Sequence, residues 1–443
     1  MAAESSTLSR VHQAELLLFF ILLQLAVIVL AGRVGSFLAV RWGQAAAVGE
    51  IIVGIVLGPT LFGWLFPGAF NYVFHSVSGD PMHILSQLGL ILLMFQIGME
   101  FEFSHLKARE HRTSVMRIAV ASMVVPFAVG YGLGYAFTPV LSPGANRTAA
   151  ALFVGTAFSI TALPILGRML IEFDIARKPL GVIAISAAAI NDVVGWLLLA
   201  VVIMLASAQF SPLQFGLTLL LLALYMLACW WLVRPLLRWL VGRLGGPDGW
   251  SNNLLGIILC LVFISAMLTY KLGIFAIFGG FMLGVLLHDQ HRFVEAWRKH
   301  IGQFVTVFFL PIFFTYTGLR TSIGSLNTLA LWGWCAIVVL LACAAKYLPS
   351  YLAARSAGMS VPQSHIVGVM MNTRALMELI VINIGYDMGV ISRNVFTMLV
   401  IMALVSTVIT TPVLRRYLHR LDDAPQAPQA PQSPPSAETT ARP

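Results

Sequence analysis

Charge is what this sequence has least of. Only 10% of its 443 residues are Asp, Glu, Lys or Arg, where an average soluble domain carries about a quarter. That deficit excludes water as the main solvent. Cysteine is scarce as well. Cys229, Cys260, Cys335 and Cys343 all lie inside apolar runs with no C-x-x-C spacing, which argues for buried apolar thiols and against a disulfide framework or a metal site. The histidines His75, His83, His105, His111, His288, His291, His300 and His365 fall in loops or at the ends of runs, without metal-ligand grouping. A phosphate loop and a nucleophile–base constellation are also missing, so neither an enzyme nor a cofactor is expected.

What is present is apolar: 59% of residues are hydrophobic and the mean hydropathy is +0.88. A helix needs about 20 such residues to cross ~30 Å of hydrocarbon. About thirteen segments qualify, at 14–35, 44–66, 83–101, 114–138, 147–170, 179–206, 213–241, 251–270, 274–288, 301–319, 327–354, 363–386 and 394–414. Strands of a transmembrane barrel are short and alternate apolar with polar residues, so that class is excluded. The expected fold is an all-α polytopic membrane protein embedded in the lipid bilayer. Residues 1–13 are expected to form a short N-terminal segment, 14–415 the transmembrane domain and 416–443 a tail. The first run is too long and too weakly flanked for a cleaved signal peptide. The Pro-, Ala- and Gln-rich tail "DDAPQAPQAPQSPPSAETTARP" is expected to be disordered and cytoplasmic.

The net charge of +9 invites a nucleic-acid partner, but its distribution excludes one. Arg33, Arg41, Lys107, Arg109, Arg112, Arg117, Arg168, Arg177, Lys178, Arg234, Arg238, Arg243, Arg292, Arg298, Lys299, Arg355, Arg415, Arg416 and Arg420 fall on one set of alternate loops. Only Arg10, Arg147, Lys271, Arg320 and Arg393 fall on the other. This positive-inside asymmetry places the N-terminus outside and the C-terminus in the cytoplasm of a plasma membrane.

The second run contains "VGIVLGPTLFG" and the ninth "FGGFMLGVLLHD", both G-x-x-L-G, so Gly54 aligns with Gly280 and Gly58 with Gly284. The third and tenth, "FQIGMEFEFSHL" and "FTYTGLRTSIGSL", each place a Gly eight residues before a Leu. The shared order suggests two inverted five-helix repeats, about 44–206 and 274–414. Transporters built this way carry their sites where paired discontinuous helices cross near the midplane. The fourth helix of each unit should then be broken. One contains "AFSITALPILGR", with Ser159, Thr161 and the helix-breaking Pro164; the other contains "MMNTRALMELIVINIG", with Asn372, Thr373, Arg374 and Glu378. Polar residues at such density are costly in lipid unless they line a cavity.

Asn191 and Asp192 sit in the middle of "AISAAAINDVVGWLLLA". A central Asp costs about 2.5–3.5 kcal/mol on insertion scales, which leaves it either pinning two helices or binding an ion. As a site, it can hold a proton or a hard monovalent cation, with Asn191, Ser159 and Thr161 as further oxygen ligands. One carboxylate beside one neutral amide suggests one cation per proton, an electroneutral exchange. Lys346 could snorkel to the interface, pair with Asp192, or neutralise the C-terminal dipoles of half-helices. Arg374 and Glu378, four residues apart, could support the break or pin helix packing. Glu50 opens the second run as a structural or funnel-mouth charge.

Together "GEIIVGIVLGPTLFG", "FSITALPILGRML", "AISAAAINDVVGWLLLA" and "MMNTRALMELIVINIGYDMGVIS" resemble the monovalent cation:proton antiporter-2 family, above all its CHX-like exchangers, over roughly residues 14–415. The resemblance implies thirteen helices, a six-helix core that moves as an elevator past a dimerisation domain, and a homodimer. It makes Asp192 the ion- and proton-binding carboxylate and Asn191 its neighbour. It also puts Thr161 on one broken helix, Asn372, Thr373 and Arg374 on the other, and makes Lys346 the core lysine. Electrogenic relatives carry two adjacent aspartates in place of Asn191–Asp192. The usual Gly after the N-T-(K/R) motif is Ala375 here, and neither a nucleotide-binding domain nor a long soluble tail is expected. The expected activity is Na⁺/H⁺ or K⁺/H⁺ antiport serving pH homeostasis. A channel-like K⁺ efflux protein and a carrier of organic solutes on the same scaffold are the alternatives.

Overall fold

The protein was analysed as a computed structural model, which describes residues 2–74, 76, 81–100, 112–173, 175, 178–207, 212–246, 249–272, 276–374 and 376–422. The tail beyond 422, Ala375, the loop bearing His105, Lys107, Arg109 and His111, and His75 and Arg177 lie outside the described residues. Among those described, regular structure is helical, with no strand. Helix α1 (Ala2–Arg41) takes in the segment set apart at the N-terminus by sequence. It is followed by α2 (Ala46–Leu57), the short α3 (Phe62–Leu65) and α4 (Pro67–Phe74), α5 (Pro81–Met99) and α6 (Arg112–Leu141). A broken pair, α7 (Arg147–Ser159) and α8 (Leu163–Glu172), precedes the continuous α9 (Pro179–Ser207). Helix α10 (Pro212–Ala228) runs into α11 (Arg234–Leu244), and α12 (Asn252–Lys271), α13 (Ala276–Leu286), α14 (His291–Trp297), α15 (Leu310–Arg320) and α16 (Leu329–Ser356) come next. A second broken pair, α17 (Val361–Met371) and α18 (Leu376–Asp387), leads to α19 (Arg393–Asp422), which extends into the segment expected as tail.

Ten of these helices are long and apolar enough to cross a membrane, eleven with the bent pair His291–Gly302 and Val305–Ser325 counted as one span. The two remaining segments of the sequence reading are the α7/α8 pair and the eleven-residue α13. The chain is a multi-pass membrane protein.

Proline explains most of the irregular backbone. Wide-turn π segments occupy Cys229–Val233, Arg298–Gly302 and Val305–Phe309; the first and last end two residues before a proline, Pro235 and Pro311. A proline cannot donate to the carbonyl four residues back, and a π turn absorbs the missing bond. Inside α6 and α19 the freed carbonyls are instead taken by side chains from elsewhere. Pro126 frees Ser122 O for Lys346 Nζ at 2.8 Å, Pro139 frees Tyr135 O for Arg147 Nε at 2.7 Å, and Pro412 frees Val408 O for Gln44 Nε2 at 3.2 Å.

The helices sort into two bundles by their contacts. One holds α6, α9, α16 and α19 around the two broken pairs; the other holds α1, α2, α5, α12, α13 and α15. In the window Val361–Asp387, 94% of residues are buried inside the protein, against 17% in those of His12–Arg41 and Leu220–Leu244. The second broken pair is therefore the innermost element, and α1 and α10–α11 are peripheral.

The aligned glycines sit at close crossings of the second bundle. Gly54 and Gly58 of α2 lie against the backbone of Phe314 and Gly318 in α15, and Gly280 and Gly284 of α13 against Ile91, Phe95 and Gly98 in α5. A Cβ at Gly318 would meet the Gly54 carbonyl head on. We expect Gly318→Ala to cost about 1–3 kcal/mol by overpacking, read as a lower melting temperature in detergent, whereas Gly333→Ala, with open space around it, should be silent.

Candidate functional site: a crossing of two broken helices

Sequence chemistry sets where each pair breaks. Asn146 starts α7 by accepting the N–H groups of Thr148 and Ala149 through Oδ1, at 3.0 and 3.1 Å. The helix then stops at Ile160, whose backbone is extended. Pro164 stands at the second position of α8, where its missing N–H costs nothing. Across the site, Ser360 and Gln363 form a reciprocal capping box that starts α17. No proline ends that helix. Asn372 and Thr373 instead turn their N–H groups back to Val369 O and Met370 O, both at 3.1 Å, tightening the last turn.

The two interruptions bond to each other. Ala162 N donates to Thr373 O at 3.0 Å and Thr161 Oγ1 to Met371 O at 3.3 Å. Asn191 of α9 joins them, its Nδ2 donating to Thr161 Oγ1 at 3.4 Å and to Ser122 Oγ of α6 at 2.7 Å. So Thr161, Asn191, Asn372 and Thr373 meet at one crossing.

A half-helix ending inside a membrane leaves carbonyls without donors, and its dipole presents partial negative charge there. At the end of α7 two cations supply what is missing. Arg374 donates through Nη1 to Ala157 O at 3.2 Å and through Nη2 to Phe158 O at 3.1 Å; Nη2 also reaches Ala342 O of α16 at 3.1 Å. Lys346 donates to the Ser159 carbonyl as well as to Ser122 O. Lys346 is completely buried, so it does not snorkel to the interface.

The opposite, N-terminal ends of the broken segments carry the carboxylates. Glu378 lies in the first turn of α18 and accepts from Arg374 Nη1 at 3.1 Å. Asp192 lies beside the Leu163 N–H that opens α8 and within the field of Lys346. Each acid faces a positive helix end and each base a negative one.

Satisfaction is incomplete: Arg374 Nε and Glu378 Oε2 are left without partners, and so are several oxygens. Asp192 is 1% exposed, and neither carboxylate oxygen has a side-chain or main-chain donor at bonding geometry. Asn191 Oδ1, Asn372 Oδ1 and Thr373 Oγ1 are buried and equally unbonded. Buried oxygens are rarely left so, and a cluster of them is a set of hard acceptors for a proton or a cation. Ser159, expected to offer a carbonyl or a hydroxyl oxygen, donates its hydroxyl to Thr156 O at 2.8 Å, and its carbonyl accepts from Lys346.

Ser122 is the participant that sequence reading missed. It accepts from Asn191 through Oγ and from Lys346 through its carbonyl. The available signal was the spacing Ser122-x-x-x-Pro126 at membrane depth.

Crossed broken helices that meet near the midplane are the arrangement in which secondary transporters build their sites. The fold agrees: the solved sodium proton antiporter MjNhaP1 from Methanocaldococcus jannaschii matches with a TM-score of 0.60 over 91% of this chain and 98% of that one, at 16% identity. Residues 16–420 match the transmembrane sodium/hydrogen exchanger family, to which the chain belongs. Among its relatives, the Na(+)/H(+) antiporter NhaS4 of Synechocystis sp. is 36% identical over 403 residues, 89% of this chain and 96% of that protein. Cation/H(+) antiporter 17 of Arabidopsis thaliana is 34% identical over 89% of this chain, and K(+)/H(+) antiporter 1 of Saccharomyces cerevisiae is 32% identical over 84%. The chain spans about half the length of these last two, 48% and 43%. Family members are transporters, and the chain is not an enzyme.

Proposed function

We propose that this protein is a monovalent cation/proton antiporter that exchanges Na⁺ or K⁺ for H⁺ by competition at Asp192. The observation that carries the reading is the buried Asp192 carboxylate, both oxygens unbonded, at the crossing of the two broken helices. A cation on that carboxylate, completed by Asn191 Oδ1, Thr161 Oγ1 and the free oxygens of Asn372 and Thr373, excludes the proton. A proton excludes the cation. Exchange follows when the loaded site opens to alternate sides. With Asn191 neutral beside Asp192, one positive charge moves each way and the cycle is electroneutral.

The two bundles supply the moving parts of this reading. Lys346 and Arg374 hold the crossing together as one body, which slides as an elevator against the bundle of α1, α2, α5, α12, α13 and α15. Inverted repeats support it: α2 packs on α15 and α13 on α5, the exchange of partners that a two-fold relation between the units requires. In the same reading the protein is a homodimer in the plasma membrane, with its N-terminus outside.

The testing experiment is reconstitution in liposomes with a lumenal pH dye and an imposed pH gradient, followed by Na⁺, K⁺, Li⁺ and choline in turn. Recovery of the dye with an inorganic cation and not with choline supports antiport and names the cation. Silence with all four from folded protein removes the reading in favour of an organic solute. Pro126→Ala refines the mechanism. It restores the helix bond to Ser122 O and withdraws a partner from Lys346, so the melting temperature should hold while exchange falls about tenfold, the worth of one charge-assisted hydrogen bond.

A further inference from the structure

One cluster outside the crossing joins the two bundles. Arg320 ends α15, and its Nη2 pairs with Asp387 Oδ1, the last residue of α18, at 2.5 Å. Arg320 Nη1 also donates to Asn383 Oδ1 at 3.4 Å. The guanidinium lies over the rings of Tyr316 on its own helix, 4.4 Å from the centroid, and of Tyr386 on α18, 5.4 Å away. One turn deeper, Asn383 Nδ2 donates to Thr317 Oγ1 at 2.8 Å and to Leu379 O at 2.9 Å. Apart from Arg320–Tyr316 and Asn383–Leu379, each within one helix, these contacts cross from the outer bundle to the broken pair.

Placement gives the cluster its meaning. Helix α18 begins at the crossing and runs outward to Asp387, so whatever holds its far end to α15 holds the broken pair against the outer bundle. The ion pair is partly open to solvent, with side-chain exposures of 20% and 28%; such a pair is weak enough to break and re-form in each cycle. Asn383, by contrast, is buried, so parting of the bundles would carry it from a dry contact into water. At the other end of the interface Gln44 meets Val408 O through a neutral bond.

We infer that Arg320–Asp387, with Asn383–Thr317 behind it, is a latch that closes one face of the transport path and must open in every cycle. This rests on the alternating-access reading above. It assigns Arg320, Asp387, Asn383 and Thr317 a positioning role, since none of them belongs to the crossing that would hold the ion.

The test uses the full chain in proteoliposomes with two readouts. The first is cation-dependent proton flux of Arg320→Gln, Asp387→Asn, the two together, and the exchanged pair Arg320→Asp with Asp387→Arg. The second is the rate at which a Thr317→Cys, Asn383→Cys protein is bridged by a short bifunctional thiol reagent. The neutral variants, single and double, should change maximal flux by one common factor, about 2- to 5-fold for a partly exposed pair, and the exchanged pair should return toward wild type. Bridging should abolish flux until a reductant releases it. Bridging should also slow by a similar 2- to 5-fold when Arg320 is neutralised, because the contact then spends less time closed. Full flux from bridged protein overturns the latch and leaves antiport standing. A wild type without flux, whose bridging rate still responds to Arg320→Gln, overturns antiport and keeps the latch. A bridging rate indifferent to both charges overturns the latch whatever the flux.

Discussion

Asp192→Asn should leave a folded, monodisperse protein whose cation-dependent proton flux does not rise above that of empty liposomes. The substitution keeps the shape of the side chain and removes its charge and its proton. In the wild type neither carboxylate oxygen accepts from a protein donor at bonding geometry, so no internal bond is lost, and an uncharged side chain is easier to keep out of water. Melting temperature should therefore stay level or rise while transport disappears. A parallel loss of stability and flux would mean that Asp192 pins helices and that the ion binds elsewhere. The measurement is dye-reported flux, paired with thermal unfolding of the same preparation.

Arg374→Ala should have the largest effect on stability, about 3–5 kcal/mol, the range for stripping one partner from a buried ion pair. Arg374 and Glu378 are 0% and 1% exposed. Removing the guanidinium leaves the Glu378 carboxyl dry and without its partner, and takes the donors from Ala157 O, Phe158 O and Ala342 O. Arg374→Lys should recover only part of the loss, because one ammonium cannot span that fork. Removing both charges as Arg374→Met with Glu378→Leu should cost less than Arg374→Ala alone, since no orphaned carboxylate remains. Thermal unfolding in detergent measures all three. If the single and double variants melted alike, the carbonyls of α7 and not the carboxylate would be what Arg374 serves.

Much of this architecture could be read from the chain because lipid makes polarity expensive. Asp192, Lys346, Arg374 and Glu378 stood out as costly residues, and each takes a place at or beside the crossing. Pro164 marked the first break directly. The second break was marked only by polar density, and the capping and tightened turn around Asn372 came from main-chain geometry. What stayed hidden was pairing. Lys346 could be drawn to the interface, to Asp192 or to helix ends, and only the folded chain shows it on Ser122 O and Ser159 O. Ser122 went unnoticed because serine is cheap in a helix, where its hydroxyl can bond back to its own turn, here to Ala119 O. For Ser159 the sequence left carbonyl and hydroxyl both open; the stop of α7 turns the carbonyl to Lys346 and the hydroxyl back to Thr156 O. Two π segments lie just before Pro235 and Pro311, but a proline alone does not tell a kink from a wide turn, and Arg298–Gly302 has no proline just after it.

The proline-freed and helix-end carbonyls also bear on how the chain is made. Ser122 O, Ala157 O, Phe158 O and Ser159 O belong to the first half of the sequence, whereas the cations that bond them, Lys346 and Arg374, belong to the last quarter. Lys346 lies 224 residues after Ser122. During synthesis, α6 and α7 therefore enter the bilayer with those acceptors open and stay so until α16 and the α17–α18 break arrive. The early helices cannot reach their final packing alone, and the last-made part of the membrane domain is what completes the first.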